Sequence, residues 1–121
     1  MVDTSVLIDV LQGKTTPEAE ETLSRASTSI SILSYYEVCK FVFRTGKAKE
    51  LAAIKQQMNS FQILGITTAI CEEAAHAAYS KTLSMADAVI YATARQNDLK
   101  LATSDSDLKG MDGVIFLKPK K

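Results

Sequence analysis

The chain has 121 residues, 46% of them hydrophobic and 23% charged, and its 14 basic and 14 acidic residues give zero formal net charge. That length supports one domain, 1–121, with a core of its own, and no apolar run approaches the ~18 residues of a membrane span. Balanced charge also leaves nothing in the bulk electrostatics to announce a polyanion binder, so any such contact must rest on local patches or a bound cation.

The opening stretch MVDTSVLIDV carries two acids and no basic segment, unlike a secretory leader. Val2-Asp3 reads as the end of a very short first strand, followed by an apolar helix from Ser5 to Leu11 that Gly13 closes. Pro17 near the start of TPEAEETLSRA suits a helix whose first turn is rich in Glu. TSISI, residues 28–32, alternates with period two and is a predicted strand. Ser34 is then predicted to open the helix SYYEVCKFVFRTG, ending at Gly46. Another helix covers Lys47 to Met58, with Leu51, Ile54 and Met58 on one face, and FQILGI reads as a buried strand. Thr67 or Thr68 caps an Ala-rich helix to about Ser80, a second runs from Ser84 to about Gln96, and KLAT and GVIFL are the last two strands. The tail KPKK is expected to be frayed. Cys39 and Cys71 stand far apart and read as reduced thiols, so a cytoplasmic location is expected.

Short strands alternating with helices predict a parallel sheet covered on both faces, an α/β fold. In such a sheet the usable crevice lies beyond the carboxyl ends of the strands. Asp3 ends the first strand, Glu37 lies in the predicted first turn of the helix leaving the second, and Asp105 and Asp107 follow the fourth. Asp87 joins them by length matching. From Asp87 to Asn97 the helix covers roughly 15 Å, and Lys100 to Ser104 as a strand covers roughly 13 Å in return. Asp3, Glu37, Asp87 and Asp105 therefore converge on one edge.

Each acid taken alone has a local explanation. Ser34-x-x-Glu37 and Ser84-x-x-Asp87 fit the capping box, Asp3 suits a helix cap, and Asp105 and Asp107 suit Asx-turns. Capping does not explain why four caps meet in one place, where carboxylates repel one another. A hard divalent cation such as Mg²⁺ or Mn²⁺ resolves the conflict through oxygen ligands. Asp9, six residues after Asp3, reads as a solvated acid off that face, and His76, the single histidine, as a surface or boundary residue.

The motifs DTSVLID, SYYE, ADAVIYATA and LATSDSDL, followed by GVIFL, occur in the order found in the PIN-domain ribonucleases, and the chain resembles in particular the VapC-type toxins of prokaryotic toxin–antitoxin pairs. The resemblance implies a three-layer α/β/α fold with a parallel sheet of about five strands, order 3-2-1-4-5. It also implies Mg²⁺- or Mn²⁺-dependent cleavage of single-stranded RNA, a small antitoxin protein as partner, and a homodimer. By it Asp3, Glu37, Asp87 and Asp105 match the acidic quartet, Thr4 or Ser5 and Thr103 match supporting hydroxyls, and Asp107 matches a further acid. The connection YSKTLSMAD is shorter than the usual one. Asp3, Asp87 and Asp105 are expected nearest the metal, Glu37 through water, and Thr103 as an orienting hydroxyl, with Lys14, Arg44, Lys47 and Lys49 available to the RNA backbone.

Other motifs fail. GKTT lacks the earlier glycine of a P-loop and follows a helix. FLKP suits a phosphoacceptor receiver, but the acid pair after strand one is missing. A single histidine argues against a zinc site or a His triad. Two alternatives stay open: an RNA-processing nuclease outside a toxin pair, and a non-catalytic binding or assembly module.

Overall fold

In the computed structural model, residues 1–25 and 27–119 are described. Ala26, and with it the end of the predicted TPEAEETLSRA helix, lies outside them, as do Lys120 and Lys121 of the tail. Six α-helices alternate with short strands: α1 (Thr4–Leu11), α2 (Pro17–Ser24), β1 (Ser29–Ser31), α3 (Ile32–Arg44), α4 (Leu51–Met58), β2 (Gln62–Leu64), α5 (Thr68–Lys81), α6 (Met85–Gln96), β3 (Leu101–Thr103) and β4 (Val114–Phe116). Two 3-10 turns, Ala48–Glu50 and Ser106–Leu108, complete the described elements.

β1 pairs with β2 and β3 with β4, both in parallel, in registers Ser29 with Gln62 and Leu101 with Val114. Residues 1–3 join the two ladders. The Val2 N–H donates to Ser29 O at 2.8 Å, the Asp3 N–H to Ala102 O at 2.9 Å, and the Ala102 N–H to Met1 O at 2.9 Å. Val2 is thus a one-residue central strand, bridged in parallel to Ala102. With it counted first, the order is 3-2-1-4-5 in the expected α/β/α fold.

Most helix starts are set by hydroxyl caps. Thr16, Thr67 and Ser84 accept from the N–H groups of Ala19, Ile70 and Asp87. The third helix departs from the expectation. Ser31, the last residue of β1, is its N-cap and accepts from the Leu33 N–H at 3.1 Å. Ser34 is therefore inside α3 and fully buried, and Glu37 stands in the second turn, not the first. Strand passes into helix with no loop, and Ile32-Leu33 mimic a continuing strand in sequence. Another correction concerns β2, which lies at the sheet edge and is only partly covered.

Val2, Val6, Ile30, Val38, Val42, Ile54 and Met58 form one core cluster around α1, β1, α3 and α4. Ile90, Tyr91, Ala94, Leu101 and Leu108 form another around α6 and β3. α5 and α6 meet through small residues, Ala74 against Ala88 and Ala92, which lets the two helices approach closely. The short connection between them turns at Thr82, whose φ of 56° is unusual for a β-branched residue. The middle of α6, Ala88 and residues 90–94, is buried, while its first turn is half-exposed.

Candidate active site

Asp3 occupies the N-cap position of α1, yet its side chain makes no capping hydrogen bond. Its Oδ2 accepts instead from Ser5 Oγ and from Thr103 Oγ1, each at 2.7 Å. The carboxylate is 3% exposed. Burial raises its pKa above the ordinary value, the two hydroxyl donors lower it, and the nearby Asp105 charge raises it again. Thr103, fully buried on β3, also accepts from the Asp105 N–H at 3.0 Å. One hydroxyl therefore orients Asp3 and pins the backbone of Asp105.

Asp105 caps the 3-10 turn that follows β3. Its Oδ1 accepts from the Asp107 N–H at 2.9 Å, which turns Asp107 back toward it. Asp87 arrives from the first turn of α6. There the Ser84 hydroxyl accepts from the Asp87 N–H at 3.2 Å, as expected of a cap. Asp87, Asp105 and Asp107 each present a carboxylate oxygen within 4.8 Å of the others. The Asp87 carboxyl is pushed up to about 6 by burial, by the charges of Asp105 and Asp3, and more weakly by Asp107, with Ser84 easing it in part. Thr103 Oγ1, which donates to Asp3 and accepts from the Asp105 N–H, links Asp3 to the trio.

Glu37 is anchored separately. The Thr4 hydroxyl donates to Glu37 Oε1 at 2.7 Å and lies 2.9 Å from Ser34 Oγ. Both candidate hydroxyls of the first helix are thus engaged, Thr4 with Glu37 and Ser5 with Asp3. Asp107, expected only in support, stands in the cluster of three, whereas Asp3 and Glu37 do not.

Nothing basic neutralises these acids: among the described residues the two ion pairs are Arg25–Glu21 and Arg95–Asp112. Arg44 ends α3, about 18 Å along its axis from Ile32. The basic residues singled out in the sequence, Arg44 and Lys47 in particular, therefore stand toward the other end of the fold. Lys81 at the end of α5, Lys109 after the second 3-10 turn and Lys118 after β4 are exposed.

Asp9 also departs from its reading. It is half-buried, and its Oδ2 accepts from Ser104 Oγ at 2.6 Å. The signal was present in Ser5-x-x-x-Asp9, a spacing of four that puts both side chains on one helix face. His76 is exposed, as expected.

The donor set suits a hard cation. Three carboxylates and a fourth beside them offer only oxygen, with no His or Cys among them, which matches Mg²⁺ or Mn²⁺ and disfavours softer metals. Residues 1–114 match the PIN domain family. The chain is a PIN-domain protein. Several solved structures share its fold, among them the following two. A toxin–antitoxin complex from Klebsiella pneumoniae aligns at a TM-score of 0.79 and 26% identity, over 94% of this chain and 93% of that one. PAE2754 from Pyrobaculum aerophilum aligns at 0.75 and 22% identity, over 95% and 87%, which bears on the fold alone. No curated protein matches the chain in sequence. The PIN fold is a nuclease fold, and the acids of this PIN domain lie where its topology puts its crevice. No helix is long and apolar enough to cross a membrane among the described residues.

Proposed function

We propose that this PIN domain, taken as one unit over residues 1–121, is a Mg²⁺- or Mn²⁺-dependent endoribonuclease of the cytoplasm that hydrolyses phosphodiester bonds of single-stranded RNA. The observation that carries the reading is the convergence of Asp87, Asp105 and Asp107, with the charge of Asp3 acting on Asp87 and no ion-pair partner for these acids among the described residues. Such a cluster is unfavourable when empty of cations and becomes favourable when one is bound.

Asp3, Asp87 and Asp105 would hold the ion, with Asp107 adding a ligand and Glu37 joining through water. A divalent cation there supplies charge to offset the phosphate and lowers the pKa of a coordinated water. In the hydrolysis a water oxygen bonds to phosphorus, one P–O ester bond breaks, and the departing oxygen takes a proton. Glu37, fixed by Thr4, accepts the proton of the attacking water. Thr103 and Ser5 keep Asp3 in one orientation throughout. Exposed lysines such as Lys81 and Lys109 would meet the RNA backbone.

The same reading makes the chain the toxin of a toxin–antitoxin pair, active as a homodimer. Its fold similarity to a protein solved as a toxin–antitoxin complex supports the antitoxin partner. An apolar groove of about 270 Å³ supports it further: Leu7, Leu11, Leu23, Ile54, Met58 and Phe61 line a surface suited to a helix of a small antitoxin. The deciding experiment is cleavage of a single-stranded RNA by wild type and by Asp87→Asn, with Mn²⁺ and with EDTA. Cleavage by wild type in Mn²⁺ only, lost in the variant, is expected. Equal behaviour of the two proteins overturns the enzyme reading and favours a binding module.

A further inference from the structure

The loop that carries Asp105 is held from below by a pair of side chains outside the metal-binding set. Ser5 and Asp9 are four residues apart on α1 and stack on one face of that helix. Between them they grip a single residue, Ser104. Its N–H donates to Ser5 Oγ at 3.0 Å, and its hydroxyl donates to Asp9 Oδ2 at 2.6 Å. The second contact is short, within the range of a hydroxyl donating to a carboxylate oxygen. Ser104 sits between Thr103, which donates to Asp3, and Asp105, whose N–H donates to Thr103. Fixing both the backbone and the side chain of Ser104 leaves residues 103–105 little freedom relative to α1, and Asp3 stands at the N-cap of that helix.

We infer that Asp9 is a positioning residue: by accepting from the Ser104 hydroxyl it sets the distance between Asp105 and Asp3, and so the readiness of the cluster for a divalent ion. The inference rests on the metal-dependent reading above. Asp9 acts as a hydrogen-bond acceptor and touches neither ion nor substrate. The pocket of acids is a carboxylate set in which ligand direction matters, and outer partners of metal ligands commonly change affinity 10- to 100-fold when removed.

The test is calorimetric titration with Mn²⁺ of wild type, Asp9→Ala, Asp9→Asn, Ser104→Ala and the Asp9→Ala/Ser104→Ala double variant, with melting curves in EDTA alongside. Asp9→Ala and Ser104→Ala should each weaken Mn²⁺ binding about tenfold. The double variant should be no worse than the weaker single one, because both substitutions delete the same contact. Asp9→Asn keeps an acceptor oxygen and should stay within about threefold of wild type. Three results would overturn the inference: unchanged affinity in Asp9→Ala, an additive double variant, or Asp9→Asn falling as far as Asp9→Ala, which would assign Asp9 a charge role. If Asp9→Ala fails to fold, Ser104→Ala and Asp9→Asn decide by the same criteria. Wild type that binds no Mn²⁺ overturns the parent reading together with this one. Wild-type binding lost in Asp87→Asn but untouched in Asp9→Ala overturns this one alone.

Discussion

Removing one charge from the cluster should stabilise the metal-free protein. In Asp87→Asn the side chain keeps its shape and its place in the first turn of α6 while losing its carboxylate. The wild-type carboxyl is pushed from 3.8 up to about 6, so folding favours its protonated form. Below pH 3.8 both folded and unfolded chains are protonated and nothing is lost. As pH rises from about 4 to 6 the unfolded chain ionises first, stability falls, and above pH 6 the full penalty is in place. At about 1.4 kcal/mol per pH unit this interval would represent about 3 kcal/mol for a fully enclosed group. Asp87 is half-buried, and solvent screening reduces the expected penalty to about 1 kcal/mol. A chain of 121 residues should then melt about 3–5 °C higher as Asp87→Asn at pH 8 in EDTA, with the advantage gone by pH 4. Saturating Mn²⁺ should reverse the order, since ion at 100 times its Kd adds about 2.7 kcal/mol to the protein that binds it. Thermal melts at pH 4, 6 and 8, with EDTA or Mn²⁺, provide the assay. An Asp87→Asn protein no more stable than wild type at pH 8 in EDTA would refute the electrostatic account of the cluster, as would an advantage that persists unchanged at pH 4.

Thr103→Val preserves volume but removes the donor to Asp3. Urea denaturation should show a loss of about 1–3 kcal/mol at pH 8, and a smaller loss at pH 4 where Asp3 is closer to neutral. Ser29 Oγ is, among the described residues, the buried side-chain polar atom without a hydrogen-bond partner, so Ser29→Ala should be neutral or gain up to about 1 kcal/mol by the same method. Ile30, fully enclosed on β1 beside it, should cost about 2–5 kcal/mol as Ile30→Ala, read from the shift in urea midpoint at constant slope.

The parts of the fold legible in sequence were those with a local cause. Ser84 capping α6 needed only a serine three residues before an acid, and the level of Asp87 with Asp105 followed from helix and strand rise. What escaped had a tertiary cause. Ser31 ends a strand and starts a helix at once, so Ser34, three residues on, took its place in the reading and carried Glu37 one turn too early. Asp9 misleads when counted from Asp3, which precedes the helix, whereas from Ser5 it is one turn away. Charge alone led to Arg44 and Lys47, because basic residues in a sequence carry no mark of the end of the sheet they will occupy. Asp107 joins the trio through a 3-10 turn capped by Asp105, a geometry that SDSDL suggests only as a turn.

The hydroxyls around the acids show why the arrangement stays open to a cation. An arginine or lysine could have oriented Asp3 as firmly, but it would also have neutralised the carboxylate and occupied the position of the ion. Ser5, Thr103 and Thr4 orient Asp3 and Glu37 by hydrogen bonds that leave the negative charge in place. The charge is not relieved internally, and the raised pKa values of Asp3 and Asp87 record that. Stability given up in the metal-free state is thereby converted into affinity, since the burial that chiefly lifts those carboxyls, together with the charge of their acidic neighbours, is a cost a divalent ion offsets on binding.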